Sequence, residues 1–225
     1  MDKIVSLFTA PSKVFTGLKE KPEWKKPFII VLIIVALSSS FTVMLAKDAI
    51  ITKQEEAFQE RGMSDEEIEQ AKKFIQGPLP IVFAAIGGAI VVAVLLLLFA
   101  VVLKLLVPVF GGTSAFKSVF SVVSFSALIM IPAAVLKLLL VAITKSPDVT
   151  TSLALLAPTM EKTSFLYQFL AGFDFFIIWE MILVAIGISI VSGVKKQNAY
   201  ILVFLVWFVS IFIGVGLGSL RGPGG

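Results

Sequence analysis

The sequence predicts an all-α integral membrane protein with a bundle of five transmembrane helices, and three observations lead to this fold class. Hydrophobic residues make up 58% of the 225 residues and charged residues only 15%, against roughly 45–50% and about 25% in soluble domains. Five apolar runs each reach the length of about 20 residues that a helix needs to cross a bilayer. Polar residues collect in short connections and in one longer segment, residues 47–77. The expected spans are residues 28–46, 81–107, 117–143, 165–191 and 199–217.

The absence of certain residue types from the sequence excludes several kinds of chemistry. The chain contains no cysteine and no histidine, so it has no disulfides, thiolate nucleophiles, histidine metal ligands or imidazole bases. We find no phosphate-binding loop and no set of a nucleophile, a base and an orienting group. The sequence therefore predicts a protein that is not an enzyme, with no catalytic residues, metal or cofactor, and no nucleic-acid partner.

Residues 1–27 are predicted to form a cytoplasmic amphipathic leader. A short helix beginning near Pro11 would place Val14, Phe15 and Leu18 on one apolar face, with lysines beside it. This pattern is typical of a helix that lies in the headgroup region of a membrane. We therefore expect the leader to contact the membrane surface, although a plain juxtamembrane segment would also explain its lysines. The predicted surface contacts are Phe8, Val14, Phe15, Leu18 and Trp24.

The polar segment between the first two spans is predicted to be helical and to lie outside the membrane. Ser64 and Glu67 have the spacing of a capping box, in which each side chain bonds to the other residue's backbone N–H at the start of a helix. A second helix over residues 48–61 would continue the first span. Pro78 and Pro80 are expected to end the segment, because proline interrupts a helix.

Glycine and proline predict local features of the remaining spans. Gly87 and Gly88 allow another helix to approach the second span closely, and Gly214 and Gly218 form a GxxxG spacing suited to tight packing. Pro132 cannot donate a hydrogen bond to a preceding carbonyl, so we expect a kink in the third span.

The distribution of basic residues predicts the orientation of the chain. Six lysines crowd into the leader immediately before the first span, and basic residues are favoured on the cytoplasmic side. The N-terminus is therefore expected inside and the C-terminus outside a prokaryotic cytoplasmic membrane. These lysines are Lys3, Lys13, Lys19, Lys21, Lys25 and Lys26.

Three stretches of the chain carry motifs of aromatic, proline and glycine residues. The first is the pattern Phe8-x-x-Pro11-x-x-Val14-Phe15-x-x-Leu18-x-x-x-Pro22-x-Trp24-x-x-Pro27. The second is Gly111-Gly112-Thr113-Ser114-Ala115-Phe116-Lys117, followed by Pro132, and the third is Phe173-Asp174-x-Phe176-x-Ile178-Trp179. Together these stretches resemble the Yip (Ypt/Rab-interacting protein) family, especially its prokaryotic branch.

The resemblance implies five spans, a cytosolic N-terminus and a role in membrane organisation or trafficking. Eukaryotic members also contact Rab/Ypt GTPases. Here the Asp-Leu-x-Gly-Pro motif of those members is replaced by Trp24-Lys25-Lys26-Pro27, and the cytosolic domain has fewer than thirty residues. We therefore do not transfer GTPase binding to this chain.

Charged residues within the spans mark a candidate intramembrane polar site. Asp174, Glu180 and Lys137 each lie inside an apolar run, where an unpaired charge is costly. From their positions along the predicted spans, we expect Asp174 to pair with Lys137. Glu180, near the predicted midplane, is expected to be protonated or hydrogen-bonded to serines. The serines at its predicted depth are Ser38, Ser39, Ser40 and Ser210.

Two functions remain open on the sequence alone. The first is a non-enzymatic membrane scaffold or adaptor of the Yip type, with membrane lipids, other membrane proteins or a second copy of the chain as partners. The second is a small transporter or channel that uses Asp174, Glu180 and Lys137. A water-filled cavity that reaches Glu180 would favour the second, whereas charges that only hold helices together would favour the first.

Overall fold

The structure is a computed structural model that describes residues 2–219, and the side chains of residues 3–216. Within this range the regular structure is helical, with three short 3-10 turns, and a single β-bridge joins Ser152 and Asp174. The α-helices are α1 Asp2–Thr9, α2 Pro11–Glu20, α3 Lys25–Leu45, α4 Lys47–Glu60, α5 Asp65–Gln76, α6 Leu79–Leu106, α7 Phe116–Ser126, α8 Met130–Thr144, α9 Phe165–Ala171, α10 Phe175–Ser192 and α11 Lys196–Ser219.

Five segments in the described part of the chain are long and apolar enough to cross a membrane, which confirms the predicted fold class. They are Lys25–Leu45, Leu79–Phe110, Phe116–Thr144, Phe175–Ser192 and Lys196–Gly216. Four of them match the predicted spans within a few residues. The fourth was wrong at its start, because helix α10 begins at residue 175 and not at residue 165.

The fourth span starts late because the chain is extended at Asp174. Thr151 and Leu153, from the loop after α8, pair with the backbone of residues 173–175. Asp174 has an extended backbone, and its side chain accepts hydrogen bonds from the N–H groups of Phe176 and Ile177, which makes it the N-cap of α10. The apolar residues before it form the separate short helix α9.

The bundle has two ends that differ in their connections. At one end, which we call the distal end, α3 passes into α4, α6 begins, and residues 145–174 form a long connection. At the other, which we call the proximal end, α3 begins and two short turns join α6 to α7 and α10 to α11. A Cβ on Gly112, in the first turn, would clash with Val194, in the second, so these turns are packed directly together.

Helix α10 lies at the centre of the fold. Within its span 44% of residues are buried, against 6% in the first span. It packs against α7, α11 and the leader helix α2. Helices α3 and α6 pack along each other, and Gly88 allows this approach because a Cβ there would lie only 2.8 Å from Ser39 Oγ. The close packing predicted at Gly214 is not present, since a Cβ there would meet no heavy atom within 4 Å.

The polar segment folds as predicted into two helices outside the spans. Ser64 and Glu67 form the capping box, with Ser64 N–H donating to Glu67 Oε2 over 2.8 Å. An ion pair between Lys72 and Glu55 joins α5 to α4. The Ser64 backbone N–H and, to a lesser extent, the Ser64 hydroxyl donate to the Glu67 carboxylate and lower the pKa of Glu67, so the carboxylate is the form that caps the helix.

The third span is interrupted near Pro132, as predicted. Residues Ala127–Ile129 form a 3-10 turn between α7 and α8. Before the turn, α7 packs against α6 and α10, and after it, α8 packs against α3. The third span therefore changes neighbours at the turn, from α6 and α10 to α3. Beyond the turn, α8 diverges from α10 towards the distal end.

Candidate functional site: a distal cavity

The divergence of α8 from α10 leaves a cavity of about 420 Å³ in the distal half of the bundle. Helix α3 forms its third side, and residues 149–151 of the long connection lie over it. Ile129 and Met130, at the break in the third span, form its floor. We call this space the distal cavity.

Five of the seven predicted site residues line the distal cavity. They are Ser38, Ser39, Lys137, Asp174 and Glu180. Ser40 and Ser210 are not among the residues that line it. The Ser210 hydroxyl is exposed on α11 and donates to the carbonyl of Trp207 in its own helix, over 2.6 Å.

Asp174 does not pair with Lys137, which corrects the prediction. Its carboxylate accepts hydrogen bonds from the Thr151 hydroxyl and from two backbone N–H groups at the start of α10. No ion pair joins it to any residue of the described part of the chain within 4.0 Å. The charge of Asp174 is therefore used to start a helix and to hold the loop that covers the cavity.

Glu180 and Lys137 lie at similar depths in the structure, which was not expected. With α10 starting at residue 175, Glu180 lies about 8 Å along the helix axis from the distal end of α10. Lys137 lies about 11 Å from the distal end of α8 by the same rise per residue. Among the described residues, neither side chain has a hydrogen-bond or ion-pair partner. The cavity therefore contains one acidic and one basic group that the described part of the chain leaves unpaired.

Ser38 and Ser39 add hydroxyl groups to the α3 side of the cavity. Neither hydroxyl makes a hydrogen bond to another described residue, although the Ser38 carbonyl accepts one from Thr42. They lie about 9–11 Å from the distal end of α3, at the level of Glu180 and Lys137. The predicted hydrogen bonds from Glu180 to these serines are not formed.

Sequence reasoning missed the contribution of the loop between the third and fourth spans. Thr150 and Thr151 line the cavity, and Thr151 bonds to Asp174. In the same loop, Asp148 forms ion pairs with Lys53 of α4 and with Lys162, the latter over 2.6 Å. The run Thr150-Thr151-Ser152, three hydroxyl residues in one loop, was the available signal. Its pairing with residue 174 is a long-range contact that no local pattern specifies.

The leader does not present its apolar face to a membrane surface, and that prediction was wrong. Val14, Phe15 and Leu18 are buried against other helices of the protein. Phe8 contacts Trp179 of α10, with ring centroids 5.8 Å apart, and Trp24 contacts Phe28 and Phe120. An amphipathic pattern shows that one face must be covered, and here the covering surface is α10 and α7.

The sequence matches the Yip1 domain over residues 5–218, nearly the whole chain. The chain belongs to the Yip1 family. This confirms the resemblance found in the leader, in the turn before α7 and around Asp174.

One relative extends the comparison to a bacterial protein. This Yip1 protein is 24% identical over 226 residues to the membrane protein YknW of Bacillus subtilis (strain 168). The match covers 99% of this chain and 92% of that protein. No solved structure matches the sequence significantly. The Yip1 family is not an enzyme family, and both the relative and the five apolar helices identify an integral membrane protein.

Proposed function

We propose that this Yip1 protein is a non-enzymatic membrane adaptor that holds a membrane-resident ligand in the distal cavity. It would act in membrane organisation through lipids, other membrane proteins or a second copy of the chain. We place it in a prokaryotic cytoplasmic membrane with its N-terminus inside, from the six lysines of the leader.

The observation that carries this proposal is that the cavity is closed on its proximal side. Below the floor at Ile129, every residue of the third span from Val119 to Ser126 is buried. Val122 contacts Gly187 of α10 so closely that a Cβ on the glycine would clash with it. A cavity with one opening binds a ligand, whereas transport requires access from both sides.

A small transporter remains the second candidate, because of Glu180. An unpaired acidic side chain at membrane depth is often part of an ion or proton path, and the cavity reaches it. This reading requires a second conformation in which α7 separates from α10.

Purification in native lipid, without detergent exchange, would test the proposal. We expect a lipid or protein that stays with the wild type and is lost when Glu180→Gln and Lys137→Met are combined. Ser210→Ala is the matched control, because its hydroxyl lies outside the cavity on α11. The proposal fails if all three proteins retain the same set of molecules. It is replaced by the transporter reading if proteoliposomes show a proton-dependent flux that Glu180→Gln abolishes.

A further inference from the structure

We infer that the distal cavity takes a zwitterionic ligand with a primary ammonium and a phosphate, the headgroup chemistry of an ethanolamine phospholipid. The ammonium would lie against Glu180 and the phosphate against Lys137. This inference rests on the proposed function and specifies the ligand of the same site.

The two unpaired charges of the cavity have opposite sign. Glu180 and Lys137 line the same space, yet they do not form an ion pair with each other within 4.0 Å. Asp174 is already satisfied by Thr151 and the start of α10. A ligand with one charge would pair with only one of the two groups, whereas a zwitterion of suitable length pairs with both. The bound ammonium also places a cation beside Glu180, which has no ion-pair partner among the described residues.

The remaining lining matches the rest of such a headgroup. The unbonded hydroxyls of Ser38 and Ser39 can donate to phosphate oxygens, which accept strongly because they are charged. Most of the other lining residues are apolar and suit the glycerol and the first carbons of an acyl chain, among them Ile34, Val35, Ile129, Met130, Ala133 and Leu140. A volume of about 420 Å³ lies within the range of ligand sites and accommodates a headgroup, with most of each acyl chain outside the cavity.

The surroundings of Lys137 indicate that the ligand comes from the lipid. Lys137 is exposed at the edge of the cavity. Its neighbours on α8 are exposed apolar side chains, including Val135 at 55% and Leu139 at 57%. In a membrane-spanning helix such a surface contacts lipid, so a headgroup can reach the lysine laterally, without crossing the loop at residues 149–151.

The cavity favours a primary ammonium over a choline group. A primary ammonium donates hydrogen bonds to a carboxylate, whereas a quaternary ammonium has no N–H group and is recognised by cages of several aromatic rings. Phe176 is the only aromatic residue among those that line the cavity in the described part of the chain. The site therefore distinguishes ethanolamine from choline headgroups through Glu180.

The test measures which lipid remains on the purified protein. The wild type is reconstituted in nanodiscs with equal amounts of phosphatidylethanolamine, phosphatidylcholine and phosphatidylglycerol, then released gently and analysed by native mass spectrometry. We expect phosphatidylethanolamine to be enriched over phosphatidylcholine by about tenfold, the effect of one charge-assisted hydrogen bond. Glu180→Gln should remove this preference, Lys137→Met should weaken retention of all three lipids, and Ser210→Ala should change neither.

Two further measurements complete the test. Glycerophosphoethanolamine, which has the same headgroup without acyl chains, is added to distinguish a soluble ligand from a lipid. If it raises the melting temperature as much as the lipid does, the source is soluble, and the lipid assignment is overturned. Monodisperse elution and an unchanged melting temperature of the lipid-free variants show that they are folded.

The outcomes separate this inference from the proposed function. Equal retention of the ethanolamine and choline lipids would overturn the inference that the ligand is an ethanolamine zwitterion. A preference for the ethanolamine lipid that Glu180→Gln leaves intact would overturn it as well. If a different molecule is retained and its retention depends on Glu180 and Lys137, the assignment of the ligand is wrong, but the proposed adaptor function stands. If the two substitutions change the retention of no molecule, both are wrong.

Discussion

Phe15, in the leader helix α2, lies against Gly187, in the central span α10. A Cβ on Gly187 would approach Phe15 Cδ1 to 3.1 Å and would also clash with Val122 of α7. Three parts of the chain that are far apart in sequence therefore meet at one glycine. At this contact the leader is packed against the helices of the bundle.

Gly187→Ala should therefore destabilise the protein. The added methyl group has to displace Val122 or Phe15, and overpacking of this kind costs about 1–3 kcal/mol. The measurement is the free energy of unfolding, or the melting temperature, in a mild detergent.

Gly214→Ala provides the matched control, because a Cβ there meets open space. It should leave the stability unchanged or slightly raised, since alanine favours helix. Equal losses at both positions would contradict the close packing of Val122 and Phe15 on Gly187.

Substitutions at Asp174 should follow the order expected for a helix cap. Asp174→Asn keeps an oxygen that accepts from the N–H groups of Phe176 and Ile177, so we expect a loss of no more than about 0.5 kcal/mol. Asp174→Ala removes the cap and should cost about 1–2 kcal/mol. Thermal unfolding of both variants in detergent measures this order.

The same experiment separates a cap from an ion pair with Lys137. If Asp174 and Lys137 were paired, Asp174→Asn would leave a lysine unpaired, and Lys137→Met would restore stability. The structure predicts no such rescue. If Asp174→Asn destabilises the protein and Lys137→Met restores its stability, the result would contradict the role of Asp174 as the cap of α10.

Lys3→Gln should change the titration of Glu23. Lys3 Nζ donates to Glu23 Oε2 over 3.0 Å, and this hydrogen bond, with the positive charge of the lysine, lowers the pKa of Glu23 from its ordinary value of 4.5. The substitution should raise that pKa towards 4.5. Carbon-13 NMR of labelled glutamate in nanodiscs measures it, and an unchanged value would show that the pair does not form.

The direction of the pH effect follows from the lowered pKa. The ionised carboxylate is favoured in the folded protein, so the stabilisation by the Lys3–Glu23 pair is complete above pH 4.5 and is lost as the pH falls through the folded pKa. Hydrogen exchange of α1 should therefore differ between wild type and Lys3→Gln at pH 7, and converge well below pH 4.5. Because both side chains are largely exposed, the change in overall stability should be small.

Topology reporters should place the two ends of the fifth span on opposite sides of the membrane. A reporter fused after Asn198 is expected in the cytoplasm, and one fused at Gly225 outside, from the lysines before the first span. Reporters on the same side would exclude a membrane-crossing fifth helix. The reverse assignment would keep the five spans and overturn the orientation.

Local sequence was sufficient for most of the helices. Long apolar runs predicted five spans, Ser64 and Glu67 predicted the start of α5, and Pro132 predicted the break in the third span. Each of these features depends on residues that are neighbours in the chain, so the physical reason for it can be found in a short window of sequence.

The features that sequence reasoning missed depend on contacts between distant residues. Hydropathy alone joined residues 165–171 to the fourth span, because nothing nearby showed that Thr151 would hold Asp174 outside the helix. The error at the start of α10 placed Glu180 at the midplane, and it led to the expected pair between Asp174 and Lys137, which does not form. Burial of the leader was missed for a related reason. The amphipathic pattern of α2 shows that its apolar face must be covered, but it does not show whether a membrane or another helix covers that face.

The 3-10 turn at Ala127–Ile129 has a consequence for how the site can vary among relatives. The distal cavity exists because the backbone of the third span changes direction, and not because its walls consist only of small side chains. Under the proposed ligand-binding function, substitutions at single wall positions would alter which molecule is preferred, while the space itself persists. On that proposal, few sequence changes would be enough to change the specificity, and the fold would be kept.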